Sequence, residues 1–266
     1  MNKILVCYLF TGFDSIKSIN KFIKFYQKYN SGINHTLLIC IKMINKKDII
    51  LIRRMLKNIN YIEFIDPINS NDYDFGSYAR VAKLYPNYKI FFLNSHSYPI
   101  RNNWLKKIVF HYKNNTVIGT SASYQSLLSS LRLKKFYKFL AFLIKYLKYK
   151  NKFKPFPNPH IRTSSFLIKG SDLLSFVKYK KFYSKEDTWE AESGYEGLTN
   201  FFKNKRYNIY VVNSDGLKFS ENQWKLSETY NYLKQSKSLI SDKHSRKYLQ
   251  LSSKGQLIAS KICWGK

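Results

Sequence analysis

The chain has 266 residues, 44% hydrophobic and 17% aromatic, which leaves room for one large or two small folded units and excludes a chain disordered by composition. Its 46 Lys and Arg against 16 Asp and Glu give a net charge of +30. That surplus suits an anionic partner, whether nucleic acid, acidic lipid or a phosphorylated substrate, while the joint abundance of Lys, Asn, Ile, Tyr, Phe and Ser also fits the coding bias of an AT-rich genome.

Residues 4–10 form an apolar run that reads as a first buried strand. A signal peptide over 1–10 is not expected, because no small-residue cleavage site follows. After Thr11-Gly12, Asp14 is the expected N-cap of a helix over 16–29, whose apolar residues recur at helical spacing. Strands follow at 36–41 and 61–65, helices at 46–56 and 75–84, a buried strand at Lys89–Leu93, a helix over 102–112 and a strand at Thr116–Gly119. Strands separated by helices in this way predict right-handed crossovers and a mostly parallel sheet, with ligands in the crevice at the strands' carboxyl ends. The second half is less regular. A basic helix is expected over 131–150, extended chain through Pro155, Pro157 and Pro159, strands at 162–168 and Asn208–Val212, and short helices at 171–177 and 198–202.

Cys7, Cys40 and Cys263 are few and far apart, so buried free thiols in a reducing, cytoplasmic compartment are expected. No apolar run reaches the roughly 20 residues needed to span a bilayer.

Four groups of residues carry chemistry. The first is Asp72, Asp74, Gly76 and Ser77, followed by the strand tip Asn94-Ser95-His96-Ser97. A helix beginning at Gly76-Ser77 would aim backbone N–H groups at an anion, and an ordinary capped helix accounts for the same residues. The second is His160 with Arg162, two apart and so on one side of a strand. This geometry suits the grip of a phosphate; the alternative is a turn residue beside an Arg paired with a carboxylate. The third is the acidic stretch 186–196, five carboxylates in eleven residues, readable as a solvated loop or as the source of a general base. The fourth is the helix over 131–150. Lys134, Lys135, Lys138, Lys145 and Lys148 fall on one arc; Leu133, Phe136, Phe139, Leu140, Leu143, Ile144 and Leu147 fall on the other. Between Arg132 and Lys154 there are nine basic residues and no acidic one. That pattern fits a helix lying on an anionic membrane surface, or a surface helix with a solvated basic face.

The blocks Asp74-Phe75-Gly76-Ser77-Tyr78, Phe92-Leu93-Asn94-Ser95-His96-Ser97 and Trp104-Leu105 resemble GT-A-fold, family-2-like glycosyltransferases of capsule and O-antigen clusters. They are similar to a subgroup whose strand end reads Leu-Asn-Ser-x-Ser. The blocks from Asn158 to Thr163, Glu192-Ser193-Gly194 with Leu198-Thr199, and Ser241-Asp242, Tyr248 and Trp264-Gly265 resemble the same subgroup, so the likeness runs along nearly the whole chain. It implies one GT-A-like α/β unit with a mostly parallel sheet flanked by helices and the basic helix inserted. Residues 1–120 would bind the nucleotide sugar, and 121–266 would serve a glycan or lipid-linked acceptor.

The resemblance implies inverting transfer from a nucleotide sugar, with Glu192, Glu196 and His160 as candidates for proton transfer. Thr11, Asp72, Asp74, Gly76, Ser77, Asn94, Ser95, His96 and Arg162 are the candidates for donor binding. Where the family carries the metal-binding Asp-x-Asp, this chain has Asn94-Ser95-His96. A divalent cation (Mg or Mn) would then need other ligands such as Asp74, Asn94 and His96, or side-chain cations would act in its place. The expected location is cytoplasmic, peripheral on the inner face of a membrane. Two other classes stay open: a glycosyltransferase-like protein without turnover, and a basic nucleic-acid-binding protein. Specific nucleic-acid binding is not expected, because none of the familiar motifs is present.

Overall fold

The structure, a computed structural model, describes residues 3–68, 70–133 and 135–265. Met1, Asn2, Asn69, Lys134 and Lys266 lie outside the described residues, and so does the expected place of Lys134 on the basic arc.

The first half alternates strand and helix: β1 (Ile4–Thr11), α1 (Ile16–Lys28), β2 (Thr36–Lys42), α2 (Lys46–Met55), β3 (Ile62–Ile65), α3 (Tyr73–Leu84) and β4 (Lys89–Leu93). Next come β5 (Tyr98–Pro99), α4 (Trp104–Phe110), β6 (Thr116–Gly119) and β7 (Ala122–Ser123). A 3-10 turn at Phe136–Lys138 leads into α5 (Phe139–Lys152), then β8 (His160–Ile161), β9 (Ser165–Lys169), α6 (Gly170–Val177), α7 (Lys185–Ser193) and α8 (Leu198–Asn204). The chain closes with β10 (Asn208–Val212), β11 (Lys218–Phe219), a 3-10 segment at Glu221–Ser227, β12 (Ile240–Ser241), α9 (Lys243–Leu249) and α10 (Ser253–Trp264).

Eight strands form the central sheet in the order β11-β10-β6-β9-β4-β1-β2-β3. The pairs β3/β2, β2/β1, β1/β4 and β6/β10 are parallel, while β9 runs antiparallel to both β4 and β6. This is the mostly parallel α/β sheet flanked by helices that the alternating pattern predicts. Period-2 alternation in β1 sends Leu5, Cys7 and Leu9 into one core layer and Ile4, Val6, Tyr8 and Phe10 into the other. The first layer packs on α3, α6 and α8 through Tyr78, Phe176 and Phe202, the second on α1 and α4 through Phe22 and Trp104. Each such side chain contributes about 1.5–3 kcal/mol on full burial.

Local chemistry places the loops. Ser15, not Asp14, caps α1 by accepting from Lys17 N at 3.3 Å. That leaves the Asp14 carboxylate for other partners. Gly12 lies so close to the chain after β2 that a Cβ would stand 2.0 Å from Met43 O, so only glycine fits there.

Three expectations are corrected. The helix expected over 131–150 begins only at Phe139, because the backbone at Lys135 is extended and no side chain caps the turn that follows. The strand expected over 162–168 is shorter, because residues 163–164 form a turn and Arg162 follows β8 without belonging to it. His160 lies in β8, paired with β7 outside the central sheet, and the central strand starts at Ser165. The acidic stretch contains α7, started by a capping box in which Ser184 and Asp187 each satisfy the other's backbone N–H.

Just past the edge strand β3, Asp66 is buried and accepts from Ser77 Oγ and Arg80 Nη2, both at 2.6 Å. Arg80 also reaches Asp72 at 2.6 Å, and Lys42 pairs with that same carboxylate. The network pins α3 to the ends of β2 and β3. Arg80→Ala should cost about 3 kcal/mol in urea unfolding, because it leaves the Asp66 carboxylate buried without its cation.

Candidate functional site

A cavity of about 360 Å³ opens where β1 and β4 end and α3 begins. Thr11 and Asp14 line one side, Tyr73 and Asp74 the floor, and Asn94, Ser95 and His96 the strand tip. The segment Arg162–Thr163–Ser164, the α7 residues Lys185, Trp189 and Glu192, and the tail residues Asp242, Lys243 and His244 close it.

The strand tip is held by its own polar groups. Asn94 Oδ1 accepts from Ser97 Oγ at 2.7 Å, and Asn94 N donates to Ser164 O at 3.1 Å. The Tyr8 hydroxyl donates to Ser95 O at 2.8 Å. Asp14 receives the Thr11 hydroxyl at 2.6 Å and faces His96 Nε2 at 3.2 Å. Burial pushes the Asp14 carboxyl up, but hydrogen bonds from His96, Thr11 and Ser95 outweigh it and hold the group below its ordinary range. Asp74 has no such partners. Burial, and then the neighbouring negative charge of Asp14, raise its carboxyl to about 6.

Opposite the strand tip, Arg162 and Asp242 form a buried ion pair. The guanidinium lies 3.9 Å from the Tyr230 ring centre, a cation–π contact. Ser164 Oγ donates to the same carboxylate at 3.0 Å, and Ser245 N donates to its other oxygen at 2.8 Å, so Asp242 also caps α9. Burial would raise the Asp242 carboxyl, yet the Arg162 charge and the Ser245 N–H bring it down to about 2.

A second cavity of about 350 Å³ adjoins the first. Arg162, Trp189, Glu192 and His244 line both, and His160, Ser193 and Tyr230 line the second alone. Glu192 therefore stands in the wall between them, held by the Thr163 hydroxyl, which donates to Oε2 at 2.9 Å. His160 is buried with Nδ1 2.8 Å from Asn158 O. Because a carbonyl can only accept, Nδ1 carries the proton there. Burial lowers the ring's tendency to ionise, which leaves a neutral imidazole with an acceptor Nε2.

Other candidates lie elsewhere. Asp72 and Gly76 border a third cavity of about 670 Å³ on the far side of α3, with the Asp72 oxygens engaged by Lys42 and Arg80. Ser77 is buried against Asp66. The helix starts at Tyr73, not at Gly76-Ser77, so Gly76 N already bonds to Asp72 O at 3.2 Å and is not aimed at a ligand. Glu196 is exposed at the turn after α7, where its backbone O accepts from Lys180 at 3.1 Å.

The proposed cation ligands Asp74, Asn94 and His96 share the first cavity without forming a shell. His96 Nε2 is occupied by Asp14, Asn94 Oδ1 by Ser97, and Asp74 prefers to be neutral below about 6. Among the described residues no group of three or more His, Cys, Asp or Glu is placed to hold a metal ion. Sequence reasoning did not single out Tyr73, Lys185, Lys243 or His244 for the site. The Ser241-Asp242 block was the one signal pointing toward the tail.

The sequence matches no family model, and no curated protein matches it. Among solved structures, the chain is similar to the apo-form glycosyltransferase GlyE of Streptococcus pneumoniae, with a TM-score of 0.44 and 10% identity over 79% of this chain and 45% of that one. It is similar to the apo bifunctional glycosyltransferase WbbM, with a TM-score of 0.42 and 11% identity over 98% of this chain and 45% of that one. It is also similar to 4-diphosphocytidyl-2C-methyl-D-erythritol synthase of Anaerococcus prevotii, with a TM-score of 0.47 and 11% identity over 82% and 92%. The chain thus spans less than half the length of either glycosyltransferase.

Asp74 carries a testable pH signature. Its folded value, about 6, is above the unfolded one, so its contribution to stability is full below about pH 4 and is lost as pH rises through 6. Asp74→Asn should therefore match wild type near pH 4 and exceed it above pH 7, by on the order of 1–3 kcal/mol in thermal or urea melts. Equal stabilities across that range would mean that Asp74 titrates normally.

Proposed function

We propose that this chain is a GT-A-like glycosyltransferase that moves a sugar from a nucleotide-sugar donor to a glycan or lipid-linked acceptor in surface polysaccharide synthesis. The position of Glu192, in the wall common to two adjoining cavities, carries the reading. In α/β sheets ligands bind at the strands' carboxyl ends, which supports the first cavity as the donor's place. The acceptor hydroxyl then enters the second, beside Trp189 and Tyr230. The motif resemblance of the whole chain supports the same class.

In the proposed reaction Glu192 takes the proton of the acceptor hydroxyl. The freed oxygen attacks the anomeric carbon from the side opposite the phosphate, the bond from that carbon to the phosphate oxygen breaks, and its electron pair leaves with the nucleotide. Attack from the opposite side inverts the anomeric centre. Charge growing on the departing phosphate is met by Arg162, Lys185 and Lys243, which line the donor cavity, rather than by Mg or Mn. The neutral His160 supplies a hydrogen-bond acceptor beside the incoming hydroxyl. A cytoplasmic site suits the buried free thiols Cys7, Cys40 and Cys263. A glycosyltransferase-like protein without turnover is the second reading, favoured by the strand tip that has Asn94-Ser95-His96 in place of two carboxylates.

A thermal-shift screen with UDP, GDP, CMP and dTDP, each with and without Mn²⁺, should find one nucleotide that stabilises the chain without the metal. At about a hundredfold excess over Kd, binding adds about 2.7 kcal/mol. No shift with any nucleotide would remove the donor assignment, and a shift only with Mn²⁺ would remove metal independence. With the donor so chosen, Glu192→Gln should lower nucleotide release about 10²–10⁴-fold while the thermal shift persists. Unchanged release would sink the base assignment, and no release from wild type would favour the second reading.

A further inference from the structure

We infer that α5 and the 3-10 turn before it form a docking surface for an anionic membrane. The helix has the reverse of the usual orientation. An ordinary surface helix turns its apolar stripe to the body and its charges to water. Here the C-terminal part of the charged side faces the body, while Lys135, Lys138 and Lys145 stay exposed. Lys148 reaches Glu186 at 3.0 Å and Lys152 reaches Glu190 at 2.7 Å, both on α7, and Tyr149 is buried against Phe153. The opposite side carries Leu140, Leu143, Ile144 and Leu147 at helical spacing, all exposed, with Leu140 at 68% and Ile144 at 62%. Phe136, at 87%, and Phe139 extend this ridge toward the N-terminal end. A contiguous apolar ridge of this kind marks an interaction site.

Charge identifies the occupant. From Arg132 to Lys154 no acidic residue interrupts nine basic ones, and the whole chain carries +30. A second copy would press one basic rim against another. An anionic leaflet answers both features: the ridge enters the acyl boundary about 5–10 Å deep, and head groups meet Lys135, Lys138 and Lys145. Tyr137 and Tyr146, both exposed, have the amphipathic rings that settle at this depth. The base of the ridge is also continuous with the site. Trp189 packs with Tyr149 and Phe153 there and also lines the second cavity. Docking would hold that cavity beside the bilayer, where a lipid-linked hydroxyl would be presented.

The inference stands apart from the proposed reaction, because its test reads binding alone. The full chain is floated with vesicles of phosphatidylcholine alone and of equal parts phosphatidylcholine and phosphatidylglycerol. Wild type should float with the second and not with the first. Leu140→Gln, Ile144→Gln and Leu147→Gln together leave the charge unchanged, and at these exposed positions the fold should be kept, as far-UV circular dichroism would check. This ridge variant should lose at least about a hundredfold in apparent partition. Lys135→Gln, Lys138→Gln and Lys145→Gln together should lose about a hundredfold, near fivefold per lysine. A ridge variant that floats like wild type would mean bulk charge alone binds the vesicles, and the inference would fall. Equal recovery of wild type with neutral vesicles would also overturn it. So would a dimer in sedimentation that the ridge variant abolishes, since the ridge would then belong to a second copy.

Discussion

Arg162 and Asp242 lie eighty residues apart in the chain and meet as a buried ion pair. Neither charge can stay buried alone, since a single ion in such a place costs several kcal/mol and drives its own neutralisation. The pair therefore compels the tail, with α9, to close over the segment that follows β8. Much else in the site depends on that closure. Asp242 caps α9, Ser164 ties the pair to the β4 tip through Asn94, and Thr163 between them holds Glu192. Arg246, one turn into α9, donates to His96 O at 3.0 Å and so fixes the strand tip from the other side.

The site is thus built from paired charges more than from single ones. Asp14 and His96 satisfy each other, as do Arg162 and Asp242, while Asp74 keeps its proton to a higher pH because it is buried and lies near the negative charge of Asp14. A phosphate entering the first cavity would meet Lys185, Lys243 and His244 beside two carboxylates, Asp14 and Asp242, that already have partners. Under the proposed reaction this arrangement suits an anionic leaving group without two fixed carboxylates, whose charge would otherwise demand a cation.

Much of the fold was legible. Short unbroken apolar runs in β1 and β4, and apolar residues with period 3.6 in α1, are local signals that the tertiary structure kept. The loops at the strand ends followed from them, and so did the search for polar groups there. The helix α7 was harder to see because Trp189 and Ala191 are its sole apolar residues, so no periodicity announces it. Its capping residues Ser184 and Asp187 were a usable sign. Asp14 looked like a cap because of its type and place, but Ser15 took that role and released the carboxylate into the cavity. Asp72 and Ser77 are acidic and small residues before a helix, which is how a ligand loop and a structural ion network both look in one dimension.

By itself the sequence determined the alternation of strands and helices in the first half and the two arcs of the basic helix, because these rest on patterns among residues close in the chain, and the short crossovers between them made a mostly parallel sheet the expected pairing. Tertiary structure alone decided which polar groups meet across long separations, such as Arg162 with Asp242 and Glu192 with Thr163. It also decided which arc of α5 faces outward. A helical wheel separates lysines from leucines, yet it is silent on which side the body lies. Here Glu186 and Glu190 on α7 draw Lys148 and Lys152 inward, and the apolar side is left in the open.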